Sequence, residues 1–333
     1  MLLLMLLPFA LLLMAAQPPD PTIQKIAAEV SRDRIAATVK TLAAFGTRGN
    51  YSDPLQKTRG IGAARTWIFA QFRSSSSRLE VSWDTAKKGT TEIASVIAVL
   101  PGVTQPEKRI IVAAHYDSIN LRAKAVEAEA PGADDDASGT AVVLELARVM
   151  SQYRFRKTIV FIAFGGEEIG LIGSTRYAAR AKAAGEQIEA VFNNDVVGAN
   201  VVGITHNDID GSDDDTGASD GDTGNRLRVY SPDPVASPSR RLAILTQEAA
   251  QRYVPALKIE MISRADRFDR GGDHIPFQTN GFAAIRLTSA SEDTAIQHTA
   301  QDTPDLVSPA FTANVARVNG AAIATLASPV PSH

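Results

Sequence analysis

Residues 158–168 read TIVFIAFGGEE, a β-branched and aromatic run that stops at two glycines followed by two glutamates. A run this uniformly apolar, instead of alternating, suits a strand buried on both faces of a sheet. Working outward, helical spacing of apolar residues occupies 140–150 before it and 175–184 after it, and further apolar strands read at 109–114 and 188–193. The alternation continues with strands at 226–230, 258–262 and 283–287 and helices at 242–253 and 309–327. Helical spacing also fills 21–45 and 61–72, ahead of β-type segments at 79–83 and 93–100. The pattern predicts an α/β fold: a single globular domain over 20–328, with a mixed, mainly parallel β-sheet and helices on both faces.

Composition narrows the function. The chain has 333 residues, 44% of them apolar and 21% charged, which places it among globular proteins rather than disordered or fibrous ones. A net charge of -3 provides no basic field for a phosphate backbone, so no nucleic-acid partner is expected. With no cysteine, a thiol nucleophile, a disulfide framework and a Cys-ligated metal are excluded. Residues 2–16 (LLLMLLPFALLLMAA) form an uncharged apolar run, too short to span a bilayer and ending in small residues. They read as a signal peptide (1–16), which places the protein in the periplasm or outside the cell, with no stable membrane span after cleavage.

Polar residues gather where the strands end. Strand 109–114 runs into His115-Tyr116-Asp117, strand 158–164 into Glu167-Glu168, and strand 188–193 into Asn194-Asp195. In an open α/β sheet the ligand crevice lies outside the carboxyl ends of the strands, so these side chains can meet there. Between the first two strands stands PGADDDASG (131–139), three acids just ahead of a helix, and His298 follows a later strand. Taken singly, a charge run is most often a solvated loop and a lone histidine a packed one. Together, two imidazoles and at least three carboxylates without thiols suit a divalent cation, zinc first and then cobalt or manganese. A pair of ions bridged by one carboxylate would explain why acids outnumber histidines.

The segments HYDS (115–118), PGADDDASG (131–139), GGEEIGLIGS (165–174), NND (193–195) and HTAQDT (298–303) resemble, in order and spacing, the M28 family of metallopeptidases. The flanks GTR (46–48), TRGIGAARTWI (58–68) and GGDHIPF (271–277) are similar to its secreted bacterial members, so the likeness covers most of the chain. The resemblance implies the zinc-dependent exopeptidase fold and a site with two Zn2+ per chain. In it His115 and Asp195 would bind one zinc, Glu168 and His298 the other, and Asp135 would bridge them. Glu167 would be the general base and Asp117 would orient the His115 imidazole. Adjacent side chains leaving a strand diverge, which suits different roles for Glu167 and Glu168. A cis peptide between Asp135 and Asp136 is also implied.

One stretch departs from the family pattern. Some secreted members carry a disulfide-held loop with a tyrosine ahead of the Asp-His pair, whereas here 267–274 reads RFDRGGDH. Arg267, Arg270 or His274 is therefore expected to shape the pocket, against the plainer reading of a polar loop with Asp273 capping a helix. Two further features are set aside. The G-x-S-x-G pattern at 217–221 follows no apolar strand, and the acidic loop 207–225, which could bind calcium, lacks EF-hand spacing and reads as solvated. The leading expectation is an aminopeptidase acting on peptide substrates. The alternatives are a carboxypeptidase or glutaminyl cyclase-like activity on the same scaffold, or a non-catalytic binding domain.

Overall fold

The computed structural model describes residues 18–123, 128–198, 225–232, 237–267, 270–290 and 292–331. The signal-peptide reading of 1–16, the G-x-S-x-G pattern at 217–221 and all but the last residue of the acidic loop 207–225 lie outside them. So do Phe268 and Asp269.

Helices α1 (Pro21–Ala28) and α2 (Arg32–Ala44) open the described chain. Helical spacing runs on across both, yet two caps divide them. Asp20 accepts from Thr22 N at 2.7 Å to start α1, and Ser31 accepts from Arg34 N at 3.3 Å to start α2. Helix α3 (Gly60–Ser75) follows, then β1 (Glu80–Lys88) and β2 (Thr91–Leu100). Strand β1 extends beyond the expected 79–83 because residues 84–88, though mostly polar, continue the antiparallel ladder with β2, with Asp84 and Ala86 turned inward.

The central repeat comes next: β3 (Gln105–His115), α4 (Gly139–Met150), β4 (Lys157–Phe164), α5 (Ile172–Ala183) and β5 (Gln187–Asn194). Then follow β6 (Arg226–Tyr230), α6 (Pro238–Tyr253), β7 (Lys258–Ile262), α7 (His274–Thr279), β8 (Ala284–Ser289) and α8 (Pro309–Ala327). Helix α6 starts four residues before the expected 242, because Ser237 caps it by accepting from Arg240 N and Pro238 suits the first turn.

The strands form one eight-stranded sheet in the order β1-β2-β4-β3-β5-β8-β6-β7. The middle strands β4, β3, β5 and β8 are parallel, and antiparallel pairings join β1 to β2, β2 to β4 and β6 to β8. Alternate residues of β3 and β4 face opposite layers. Ile110, Val112, Ile159 and Phe161 belong to the large core beneath α1, α2, α4 and α8, whereas Ile111, Ala113, Val160 and Ile162 join the smaller core with Tyr177 of α5 and Phe277 of α7. Both faces are thus covered, which is why β4 can be apolar throughout.

This topology contains a switch point. From β3 the chain crosses to β4 on one side and then returns to β5 on the other, leaving a crevice at the carboxyl ends of the three strands. Gly139, at the start of α4, allows close approach there: a Cβ on it would overlap the Asn194 carbonyl oxygen and the Asp136 carboxylate. Among the described residues, no helix is long and apolar enough to cross a membrane.

Candidate metal centre

His115 is the last residue of β3, Glu167 and Glu168 lie in the turn after β4, Asp195 follows β5, and His298 stands in the segment between β8 and α8. Asp135 comes from a tight helical turn (Ala133–Ser138) whose backbone leaves helical geometry at Asp135 and Asp136. The peptide bond between these two residues is cis, as the family likeness implied.

The expected residues converge. Asp135 turns one carboxylate oxygen to each histidine, with Oδ1 3.1 Å from His115 Nε2 and Oδ2 3.1 Å from His298 Nε2. Glu168 Oε2 is also 3.1 Å from His298 Nε2, and its Oε1 is buried without a hydrogen-bond partner. One donor atom each from His115, Asp135 and Glu168 lie within 4.8 Å of one another, as do one each from His115, Glu167 and Asp195. Glu167 therefore sits in the same grouping as His115 and Asp195, closer to that end than its expected role alone required. All of these side chains, with Leu121, Arg267, Arg270 and Gly271, line a cavity of about 290 Å³.

Surrounding groups hold the donors in place. The His115 Nδ1 lies 3.2 Å from the Asp117 carbonyl oxygen and 3.6 Å from its Oδ1, so the backbone of Asp117 is the nearer partner for the imidazole. The Asp117 carboxylate accepts from the backbone N–H groups of Glu167 at 3.3 Å and Glu168 at 3.1 Å, and from Asn50 Nδ2 at 2.6 Å. It thereby fixes the glutamate turn as well. Asp302 accepts from the N–H groups of Asp134 and Asp135 at 2.8 and 3.0 Å. Arg48 is fully buried and donates to the carbonyls of Tyr116, Pro131 and Gly132, tying the end of β3 to the turn that carries Asp135. Asp195 Oδ1 accepts from Arg286 Nη2 at 2.9 Å.

Sequence alone assigns no role to Asn50 or Arg286, and Arg48 enters it only as part of the GTR flank. Arg286 had left a signal: a charged residue inside the apolar strand AIRLTS (284–289) has to be paired if it is buried. Of the three residues expected to shape the pocket, Arg267 and Arg270 line it. His274 does not, because its Nε2 hydrogen-bonds to the Ala265 carbonyl at 2.8 Å. Asp273 does precede α7, but its side chain makes no capping bond.

The electrostatics reflect crowded acids. Burial, reinforced by the Asp135 charge, pushes Glu168 up to about 7. Burial raises Glu167 well above the usual carboxylate range, with Glu168, Asp195 and Asp273 adding to it. Asp135 is buried too, yet its hydrogen bonds with His115 and His298 hold it well below that range. Burial works to lower His298, but bonds with Asp135 and Glu168 carry it to about 11. In the absence of another cation, the histidines are kept charged by the acids around them. The donor set consists of imidazole nitrogens and carboxylate oxygens, with one carboxylate oxygen left unpartnered, and this suits a zinc-like divalent ion.

Fold and site together define an α/β protein with a carboxylate–imidazole cluster at the sheet's switch point, of a kind that could hold a cation. The model of peptidase family M28 matches residues 95–323, and the chain belongs to that family. A protein from Pyrenophora tritici-repentis (strain Pt-1C-BFP), named "Probable zinc metalloprotease", is 35% identical over 302 residues, covering 84% of this chain and 68% of that one. Among solved structures, the LapA aminopeptidase of Legionella pneumophila is similar with a TM-score of 0.71 and 20% identity, over 93% of this chain and 75% of that one. The glutaminyl cyclase of Macrostomum lignano is similar with a TM-score of 0.71 and 16% identity, over 96% of each chain. At these identities the two structures speak for the fold alone.

Proposed function

We propose that the protein is a secreted or periplasmic zinc aminopeptidase that hydrolyses the N-terminal peptide bond of peptide substrates. The observation that carries this reading is the placement of Asp135, whose two oxygens face His115 and His298 at 3.1 Å each, as a carboxylate bridging two cations must. His115 and Asp195 would hold one zinc, Glu168 and His298 the other, with Asp135 shared. When bound, such a pair supplies Lewis-acid polarisation of the scissile carbonyl and acidifies the attacking water.

The remaining work falls to the protein's own groups. Glu167 takes the proton from the attacking water and returns it to the leaving amine. Burial among other acids raises its pKa in the metal-free chain, and nearby cations would act in the opposite direction. Asp117 keeps Glu167 and Glu168 in register through their backbone N–H groups. Secretion is supported by the apolar run 2–16.

Peptides with free and with blocked N-termini, assayed side by side with and without chelator, test this reading. Release of the first residue from free N-termini only, abolished by chelation and restored by zinc or cobalt, is expected. Full activity after exhaustive metal removal would overturn it. The alternative on the same scaffold is a glutaminyl cyclase-like activity. A peptide beginning with glutamine separates the two, because cyclisation releases ammonia and leaves the peptide bond intact.

A further inference from the structure

Two arginines between β7 and α7 line the cavity beside the acidic cluster, and their surroundings differ. Arg267 is neutralised, its Nη1 being paired with Glu292 Oε2 and its Nε lying 3.8 Å from Asp266 Oδ1. The nearby Arg286 is matched by Asp195 and Asp266, and Arg228 by Glu292. Arg270 makes no ion pair within 4.0 Å among the described residues, and the Glu292 and Asp135 carboxylates act on it only from farther off. Its hydrogen bond goes to a neutral group, from Nη1 to Gln297 Oε1 at 3.0 Å. Gln297 is itself fixed, since its Nε2 donates to Glu292 Oε2 at 3.0 Å. No nitrogen of Arg270 is both buried and unbonded, so the rest of its fork remains open to an incoming group.

A guanidinium anchored at one corner is a pre-organised receptor for a planar carboxylate, which it can bind through two parallel N–H groups. The cavity of about 290 Å³ is at the small end for a ligand pocket and fits a side chain or a chain terminus rather than an extended peptide. The acids lining it would repel an anion while the site is empty of cations. Divalent ions would remove that repulsion and leave Arg270 as surplus positive charge. We propose that Arg270, held by Gln297, is a carboxylate-recognising subsite, so that favoured substrates carry an anionic group beside the scissile bond. The group is an acidic N-terminal side chain or the free C-terminus of a dipeptide. The identity of the ligand as part of a peptide rests on the peptidase reading above.

Two substrate pairs, given to the zinc-loaded full chain, separate the sources: glutamyl against glutaminyl peptide amides, and alanyl-alanine against its amide. A hydrogen-bonded charge pair predicts that the carboxylate member of at least one pair has a kcat/KM roughly 10–100-fold higher. The ratio should collapse toward one in Arg270→Gln and survive partly in Arg270→Lys, which keeps the charge without the fork. Calorimetric binding of L-glutamate against L-glutamine, and of L-alanine against L-alaninamide, to the same zinc-loaded proteins gives a readout of both carboxylate sources independent of turnover. Peptide cleavage with no preference in either pair, or a preference that Arg270→Gln leaves intact, overturns the subsite while the peptidase reading stands. No cleavage, with glutamate or alanine binding selectively and only when Arg270 is present, retains the subsite and overturns the peptidase reading. Absence of both cleavage and selective binding overturns both.

Discussion

Around His115 and His298, carboxylates crowd together: the buried Asp135, Asp195 and Asp273 and the partly buried Glu167 and Glu168 gather there, and desolvation drives Glu168 and Asp273 each up to about 7. A few residues away, Asp266 and Glu292 are equally buried but sit among Arg228, Arg267 and Arg286. Although burial opposes it, Arg286 pulls Asp266 down to about 2, and Arg267 and Arg228 hold Glu292 below its usual range. Asp195 belongs to both regions, since Arg286 donates to its Oδ1. Among the described residues, one network is balanced by its own arginines, and the other gathers more acids than cationic groups. Burying ions without partners is expensive, so the two clusters predict opposite responses to added cations and to acid.

The comparison breaks most visibly at the two neighbouring glutamates. Glu167→Gln keeps the volume but removes a proton acceptor, so turnover should fall by roughly 10²–10⁴-fold while bound metal is retained. Glu168→Gln should instead lose metal. Mass spectrometry for metal content, combined with kinetics, checks both; if Glu167→Gln lost zinc and Glu168→Gln kept both ions, the two roles would have to be exchanged.

In the balanced network, removing one partner strands another. Asp266→Asn leaves Arg286 short of a counter-ion at a fully buried position, for which a loss of about 3–5 kcal/mol in urea unfolding is expected. A near-neutral result would show that Asp195 alone satisfies Arg286. Cation addition acts on the other cluster. Zinc at 100–1,000 times its dissociation constant should stabilise the chelator-treated protein by roughly 3–4 kcal/mol, read as a rise in Tm. If zinc left Tm unchanged, the acid-rich cluster would not be a cation site.

Much of this contrast was legible in the sequence, and the rest was hidden for physical reasons. Strand β4 could be read because burial on both faces leaves only apolar residues, and the acids could be placed because they follow such strands. Edge strand β1 was cut short because its second half reads DTAKK, where the two inward-facing residues are Asp84 and the small Ala86 and give little apolar signal. The six-residue α7 is too short for helical periodicity to emerge. At the site, the donors announce themselves by residue type. Their supports do not: Asn50 reaches Asp117 across 67 positions and Arg48 reaches Gly132 across 84, and only the folded chain makes them neighbours. The open character of Arg270 was likewise invisible, because it depends on which acids the fold gives to Arg267 and Arg286 instead.

The smallest expected effect sharpens the comparison through pH. Asp266 has a folded value of about 2 against an ordinary 3.8, so its charged form favours the folded state. Its contribution is fully present above pH 3.8 and disappears as pH falls through about 2; at 1.36 kcal/mol per unit it amounts to about 2 kcal/mol. Glu168 behaves oppositely. Its folded value of about 7 lies above the ordinary 4.5, so ionising it in the metal-free protein works against folding as pH rises from 4.5 to about 7. His298, raised from 6.5 to about 11, adds stability below pH 6.5 that fades as pH climbs toward 11. Chelator-treated protein should therefore be most stable near pH 4–5 and weaken on either side, the acid limb arising from Asp266 and also from Asp135, which its histidine partners hold low, and the alkaline limb from Glu168 and His298. Zinc should remove the alkaline limb, since cations replace the protons that Glu168 and His298 give up, and leave the acid limb in place. Urea titrations from pH 2 to 9 with chelator or zinc measure both limbs. If metal-free stability rose steadily from pH 5 to 9, the acids around His298 would not carry the unbalanced charge on which the distinction depends.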